Sequence, residues 1–354
     1  MATRNPKDVV FSMFCGAGGL DEGFRQAGFL PTLAVDINPA ACETYRKNHP
    51  KTKAVLELDL LNTSPATLLG EIKNSRALPR LRGVVGGPPC QAFSLANVHK
   101  RAYDRRATLS RKYADLVKAL NIAYSLDFFV FENVQGLLSK KHQRRFREFL
   151  QQFRLAGFTL FECRMNAWWY GVPQDRVRIF VVGFNCKKYP AIQFKQPGTY
   201  RELPMTVSEA FLGLAEPTFF KFGTKRAAHP LHPNHWCMMP KSPKFKNNYL
   251  LTSKRTGRSF RVLKGDRPSP TVAYGHNEVS VHPSGKRRIS VFEAMLLQSF
   301  PRKYRLYGTL TQQIKLISNA VPPPMARALA QSIKDSLEEH RRKESKKNVS
   351  DTVK

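Results

Sequence analysis

"VVFSMFCGAGGLDEGF", residues 9–24, passes from an apolar run through Gly16, Gly18 and Gly19 into the helix-forming "LDEGFRQAG". An apolar strand, a glycine turn and a helix in that order open an α/β unit, and the glycines let the backbone approach a ligand closely. The pattern is not the GxGxxG fingerprint, because Asp21 stands where the third glycine would be. An ordinary glycine turn explains this stretch about as well. The rest of the first 185 residues repeats the rhythm. Apolar runs at 33–36, 55–58, 83–87, 128–132, 158–165 and 178–184 alternate with helix-forming stretches, notably 112–124 and 142–156. Asn38 and Pro39 read as the N-cap and first residue of a helix running to about Asn48. Near-continuous apolar strands between helices predict a parallel sheet covered on both faces, with ligands at the carboxyl ends of its strands.

Charge narrows the partner. The 354 residues contain 58 Lys and Arg against 26 Asp and Glu, a formal net charge of +32. A field of that sign and size points to a polyanion, nucleic acid before membrane, since no amphipathic anchor or lipidation motif is evident. Apolar stretches such as "LDFFVF" (126–131) are far shorter than the roughly 20 residues of a membrane span. The N-terminus lacks the apolar core of a signal peptide, so a cytoplasmic protein is expected. Six cysteines at 15, 42, 90, 163, 186 and 237 include no CxxC pair, which excludes a disulfide framework and a zinc ribbon. "HPLHPNHWC" brings His229, His232, His235 and Cys237 together, but at a spacing that fits no common zinc finger. A polar loop touching nucleic acid is the favoured reading there, and no metal is expected.

Composition divides the chain. Residues 1–185 read as a catalytic and cofactor-binding domain, and 186–309 as a second, irregular module. Within it, 187–287 is rich in Pro, Lys, His and Asn. "SVFEAMLLQSF" (290–300) is helix-like, and "PPPMARALAQSIKDSLEEH" (322–340) reads as a closing helix. Residues 310–338 thus form a segment returning to the first domain, and 339–354 a solvated basic tail.

The polar residues at the strand ends suggest chemistry. Asp36 ends the second strand about twenty residues after the glycines, where a carboxylate can accept from both hydroxyls of an adenosine ribose. Asp59 closes the third strand and can accept from an adenine amine; either residue could instead be a helix cap or a surface charge. In "GGPPCQAFS" (86–94), Cys90 follows Pro88 and Pro89, whose rigid backbone positions a nucleophile at little entropic cost. "FFVFENV" places Glu132 and Asn133 at another strand end, so a carboxyl group and a thiol suggest covalent attack with acid assistance. "QDRVR" alternates Gln174, Arg176 and Arg178 on one strand face, which suits a phosphate or a polar ring, or else a plain solvated edge.

In this order, "FCGAGGLDEGF", "GGPPCQAFS", "FENV", "QDRVR", "EAMLLQSFP" and "SNAVPPPMA" resemble the cytosine-C5 DNA methyltransferases, from about residue 9 to 333. The gap in the resemblance, at 187–287, falls where that family keeps its variable target-recognition domain. The resemblance implies a Rossmann-like S-adenosylmethionine-dependent methyltransferase domain with a smaller, irregular target-recognition domain. By it, Cys90 attacks carbon 6 of a flipped-out cytosine in duplex DNA and Glu132 holds N3 and the exocyclic amine. Arg176 touches the flipped base or its phosphate, and Arg178 supports the loop. Carbon 5 then takes the methyl group from S-adenosylmethionine. The cofactor contacts implied are Phe14, Gly16, Gly18, Gly19, Asp36, Ile37, Asp59, Pro89, Leu109, Asn319 and Val321.

Several positions depart from the family pattern. Asp36 replaces the commoner glutamate, and Ile37 stands where an aromatic ring often stacks on adenine. Ser12 replaces an aspartate, and Leu316 and Ser318 replace a glutamine and a glycine. Phe292 stands where an arginine usually precedes the glutamate, a change that bears on inter-domain packing rather than catalysis. A monomeric modification enzyme of a restriction-modification system is the expectation. The alternatives are a tRNA cytosine-C5 methyltransferase and a catalytically silent nucleic-acid-binding protein.

Overall fold

The computed structural model describes residues 8–75, 80–89, 108–199, 204–220, 229–252, 260–271 and 280–352, with side chains to 346. Cys90 lies outside the described residues. Seven strands form one sheet: β1 (Val9–Met13), β2 (Leu30–Asp36), β3 (Ala54–Glu57), β4 (Leu81–Gly86), β5 (Phe128–Val134), β6 (Phe158–Asn166) and β8 (Val177–Asn185). The two-residue β7 (Gln174–Asp175) lies outside it. Their order is β3-β2-β1-β4-β5-β8-β6. The crossovers are α1 (Gly19–Gln26), α2 (Pro39–Asn48), α3 (Pro65–Ser75), α4 (Thr108–Tyr124) and α5 (Gln143–Leu155). The α2 boundaries match the sequence reading: Asn38 Oδ1 accepts from the Ala40 N–H at 3.0 Å, with Pro39 at the first helical position.

Strand periodicity divides the core. Val9, Phe11 and Met13 of β1 face a cluster shared with Leu68 of α3, Leu116 of α4 and Phe153 of α5. Val10 faces the other side, with Phe24 of α1 and, from the C-terminal helix, Met325, Leu329 and Ile333. Both faces are therefore covered, as near-continuous apolar strands require.

The sheet is not wholly parallel. β8 runs antiparallel to both β5 and β6 and lies between them. Only ten residues separate β6 from β8, with a single 3-10 turn at Ala167–Tyr170, too few for the crossover that a parallel partner needs.

Short elements follow: α6 (Val207–Phe211), β9 (Thr218–Phe220), β10 (Trp236–Met238), α7 (Tyr249–Thr252), β11 (Arg261–Val262), β12 (Ser269–Pro270) and β13 (Ser280–Val281). β12 pairs with β7, tying this part to the edge of the first domain. Then come α8 (Val291–Leu297), α9 (Leu310–Asn319) and α10 (Pro323–Thr352). Leu316 and Ile317 of α9 share a core cluster with Trp236, Leu263 and Ala41, so the expected boundary at 309/310 falls within one packed unit.

The expected basic tail is helical instead, since α10 continues to Thr352. Arg341 donates to the Tyr189 hydroxyl at 3.1 Å and lies 3.5 Å from the buried Asp127 carboxylate. Pairs such as Lys343–Glu339, at 2.7 Å, support the following turn. Among the described residues, no helix is long and apolar enough to cross a membrane.

Candidate active site

A cavity of about 470 Å³ opens at the carboxyl ends of β1, β2, β4 and β5. Its lining includes Phe14, Gly16, Gly19, Asp36, Ile37, Asp59, Pro89, Leu109, Asn319 and Val321, together with Glu132 and Arg178. Residues separated by three hundred positions thus share one wall.

The glycine turn makes the closure possible. Phe14, the residue after β1, adopts φ +58°, a left-handed conformation that a non-glycine residue adopts only under constraint. Gly19 sits so near the Val321 carbonyl that a Cβ would collide with it. Gly18, at φ +75°, lies behind the cavity; a Cβ there would come within 2.6 Å of the Tyr304 hydroxyl. That hydroxyl donates to the Ala17 carbonyl at 2.6 Å and lies 3.1 Å from His49 Nε2, locking the turn to the C-terminal part of the chain.

Asp36 organises the next wall. Its Oδ2 accepts from the Gly16 N–H and its Oδ1 from the Asn38 N–H, both at 2.9 Å. Burial pushes its pKa up, and those backbone donors and Lys315 pull it back. Asp59 accepts from the Leu61 N–H at 3.0 Å and the Asn62 amide at 2.6 Å, so it also caps its own turn. Ile37 remains 60 % exposed, an apolar surface presented to the cavity.

Glu132 and Arg178 form the far wall, with Asn133 buried behind them. Arg178 Nε lies 3.0 Å from Glu132 Oε1. Burial raises the Glu132 pKa, while the Arg178 and Arg176 guanidiniums oppose that rise. Gly87 packs against the other carboxylate oxygen, where a Cβ would come within 2.5 Å of Oε2. Asn133 donates to the Pro88 carbonyl at 3.4 Å, joining the glutamate strand to the loop that leads to Cys90.

Arg176 occupies a different place from the one expected. Read as a contact to the base or its phosphate, it is 0 % exposed and absent from the cavity wall. Its Nη2 donates to the carbonyls of Ser318 and Ala320 at 2.9 and 2.8 Å. It therefore holds the turn that carries Asn319 and Val321, and Arg178 is the arginine beside the glutamate. The solvated-edge reading fails for all three residues, since Gln174 and Arg178 are buried as well.

The histidine cluster is also corrected. His232 and His235 are buried, so they do not form a loop that touches nucleic acid. His232 lies 3.0 Å from the Tyr304 carbonyl and accepts from the Asn234 N–H, and its ring stacks on Phe292 at 4.0 Å. His235 lies 2.8 Å from Ser290 Oγ and 2.7 Å from the Ala215 carbonyl. Phe292 thus has a packing partner of its own. The guanidinium missing beside Glu293 comes from Arg287, which binds both carboxylate oxygens at 2.8 and 2.9 Å and reaches Glu216 at 2.7 Å.

Ser12 and Asp21, read from the sequence only as departures from motif patterns, form a buried pair that also lines the cavity. Ser12 Oγ donates to Asp21 Oδ2 at 2.9 Å. Burial pushes the Asp21 pKa up from 3.8 to about 6. A raised carboxyl pKa favours the folded state fully below pH 3.8, and that advantage disappears as pH rises through 6. Asp21→Asn is therefore expected to stabilise the protein by about 3 kcal/mol above pH 6 and by nothing below pH 4. Denaturant unfolding at pH 3.5 and pH 7.5 checks this; an equal effect at both values overturns it. The sequence reading missed Lys315 and Gly87, one for want of any motif and the other hidden in "GGPP".

The profile of the C-5 cytosine-specific DNA methylase family matches residues 9–335. The chain belongs to that family. The enzyme is a DNA cytosine-5-methyltransferase, and its cofactor is S-adenosyl-L-methionine. It is 34 % identical to the type II methyltransferase M.NmeDI of Neisseria meningitidis serogroup C, over 94 % of this chain and 85 % of that one. It is 31 % identical to the type II methyltransferase M.FnuDI of Fusobacterium nucleatum, over 93 % and 94 %. Among solved structures, an E. coli prophage protein described as a DNA modification methyltransferase superposes with a TM-score of 0.74 at 22 % identity, over 94 % and 99 %. Spodoptera frugiperda DNMT2 gives 0.61 at 16 %, over 92 % and 99 %. These two likenesses concern the methyltransferase fold.

The cavity of the methyltransferase fits its cofactor. The collision a Cβ at Gly19 would meet at Val321 shows how tightly the turn is drawn in, while at Gly16 a Cβ would find only the Phe14 carbonyl, 4.0 Å away. Backbone can therefore approach a ligand at Gly16. Acceptors at Asp36 and Asp59 and the apolar face of Ile37 suit a ribose and an adenine.

Proposed function

We propose that the methyltransferase modifies carbon 5 of a cytosine flipped out of duplex DNA, through a transient covalent bond to Cys90, and that it is the modification enzyme of a restriction-modification system. The restriction-modification role follows the type II methyltransferases it resembles. What carries the catalytic reading is Glu132: a buried carboxyl, one oxygen fixed by Arg178, on the cavity wall that also contains Pro88 and Pro89, the two residues before Cys90.

Asp36 and Asp59 would accept from the ribose and the adenine of S-adenosylmethionine, with Phe14, Ile37, Leu109, Asn319 and Val321 enclosing it. That cofactor supplies an electrophilic methyl group. The Cys90 thiolate bonds to carbon 6, and the electron pair of the 5,6 double bond becomes available at carbon 5. Glu132, its pKa raised by burial, donates a proton to N3 as negative charge develops on the ring. After methylation the carbon-5 proton is lost, the electron pair left behind expels the Cys90 sulfur as thiolate, and N3 returns its proton to Glu132, which restores the ring. Arg178 keeps the carboxyl oriented throughout. Flipping is required because carbon 6 is otherwise inside the stack.

A covalent trap tests this reading. The enzyme and S-adenosylmethionine are incubated with mixed-sequence duplex DNA containing 5-fluorocytosine, or with fluorinated tRNA, and resolved on a denaturing gel. The expected result is a DNA adduct that is absent with Cys90→Ser. An adduct with tRNA alone, or one that persists in Cys90→Ser, overturns it.

A further inference from the structure

We propose that the exposed basic segment from Lys140 through the first turns of α5 grips the phosphate backbone of the duplex flanking the flipped cytosine. The proposal rests on the reading of Glu132 as the residue that holds the target base.

Residues 139–147, "SKKHQRRFR", contain no acidic residue. Lys140, Lys141, Arg144 and Arg147 are exposed, whereas Phe146, Phe149, Leu150 and Phe153 turn into the core. The nearest following carboxylate, Glu148, lies 3.2 Å from Arg144 Nε in an exposed pair that offsets little of the charge.

Folding alone does not favour this arrangement. The N-terminal end of a helix carries partial positive charge, so cations there are unfavourable. α1, α6 and α8 follow that preference, with Asp21 and Glu22, Glu209 and Glu293 in their first turns, whereas α2, α3, α4 and α9 have no acid there. α5 has no acid in its first turn, and its flanking His142 forms no side-chain cap. A polyanion laid across this end reverses the penalty.

Position selects the polyanion. Lys140 lies eight positions after Glu132, so the two lie within about 28 Å of each other. At about 3.4 Å per base pair, that places the patch within roughly eight base pairs of the target. Phosphates of the duplex on either side of the flipped nucleotide fall within that reach. The contact carries no sequence information; it holds orientation while the rest of the protein reads bases.

The test compares wild type with Lys140→Gln/Lys141→Gln/Arg144→Gln/Arg147→Gln. Binding to mixed-sequence duplexes of about 10 and about 26 base pairs is titrated against salt, where each phosphate contact contributes about 0.9 to the slope of log K against log salt. The expected result is a slope smaller by about 2 or more on the long duplex, with little change on the short one. Cofactor affinity should be unchanged and Tm equal or higher. Lys140→Arg/Lys141→Arg should bind as wild type does. Unchanged slopes, or equal losses on both duplexes, overturn the proposal. If wild type captures 5-fluorocytosine DNA in those cases, the catalytic reading survives without it. If wild type captures no DNA and binds neither duplex, the catalytic reading fails as well.

Discussion

Replacing Glu132 by glutamine is expected to lower methyl transfer by about 10²–10⁴-fold, the usual contribution of a positioned general acid. Cofactor affinity should persist, because Glu132 is not among the contacts read for S-adenosylmethionine. Glutamine retains the shape and still accepts from Arg178, so the loss isolates the proton. The neighbouring guanidinium supplies a second readout. Burial raises the Glu132 pKa and Arg178 lowers it. A carboxyl that must be protonated loses activity as pH rises through its folded pKa. Arg178→Gln should therefore move the alkaline fall in kcat to higher pH, besides lowering kcat itself. Single-turnover methylation between pH 5 and pH 9 measures both. A fall at the same pH in wild type and Arg178→Gln contradicts the proton-donor role.

The second large effect is on folding. Arg287 is only 4 % exposed and Glu293 is 0 % exposed. Arg287→Leu leaves a buried carboxylate with the Ser290 N–H, at 2.7 Å, but no cation. Breaking a buried pair from one side costs about 3–5 kcal/mol, which for a domain of this size lowers Tm by roughly 6–20 °C. Arg287→Leu/Glu293→Leu should recover most of that loss, because two apolar groups leave no buried charge behind. Calorimetry on the two single variants and the double variant completes the cycle. If the double variant is as unstable as the sum of the singles, packing at this site outweighs the ion pair.

Much of this was legible in the sequence because apolar runs define strands closely. The run read at 128–132 is β5 at 128–134, and 178–184 is β8 at 177–185. The direction of β8 was not legible, since a strand's own residues do not record which neighbours it inserts between. The two arginines of "QDRVR" show the same limit. Alternation put them on one strand face, but Arg176 falls between β7 and β8, and which arginine meets the glutamate depends on where Ser318 and Ala320 arrive from, more than 140 residues away. Arg287 escaped notice because its partner was sought one residue before Glu293, whereas a chain turn brings it from six residues before. The tail looked solvated by composition, yet Arg341 alone gives α10 a partner in Asp127, a buried residue at the start of β5. For the cofactor wall, the family resemblance indicated residues that spacing alone left open, among them Leu109 and Asn319.

The wall formed by residues 315–321 also has a consequence in time. Chains are made from the N-terminus, so the sheet, the glycine turn and the glutamate leave the ribosome well before Asn319 and Val321. The cofactor cavity has an open side until nearly the whole chain has been synthesised, and α10 must follow before Met325, Leu329 and Ile333 can cover the second face of the sheet. A chain cut short before residue 315 therefore carries Glu132 without a closed cavity beside it.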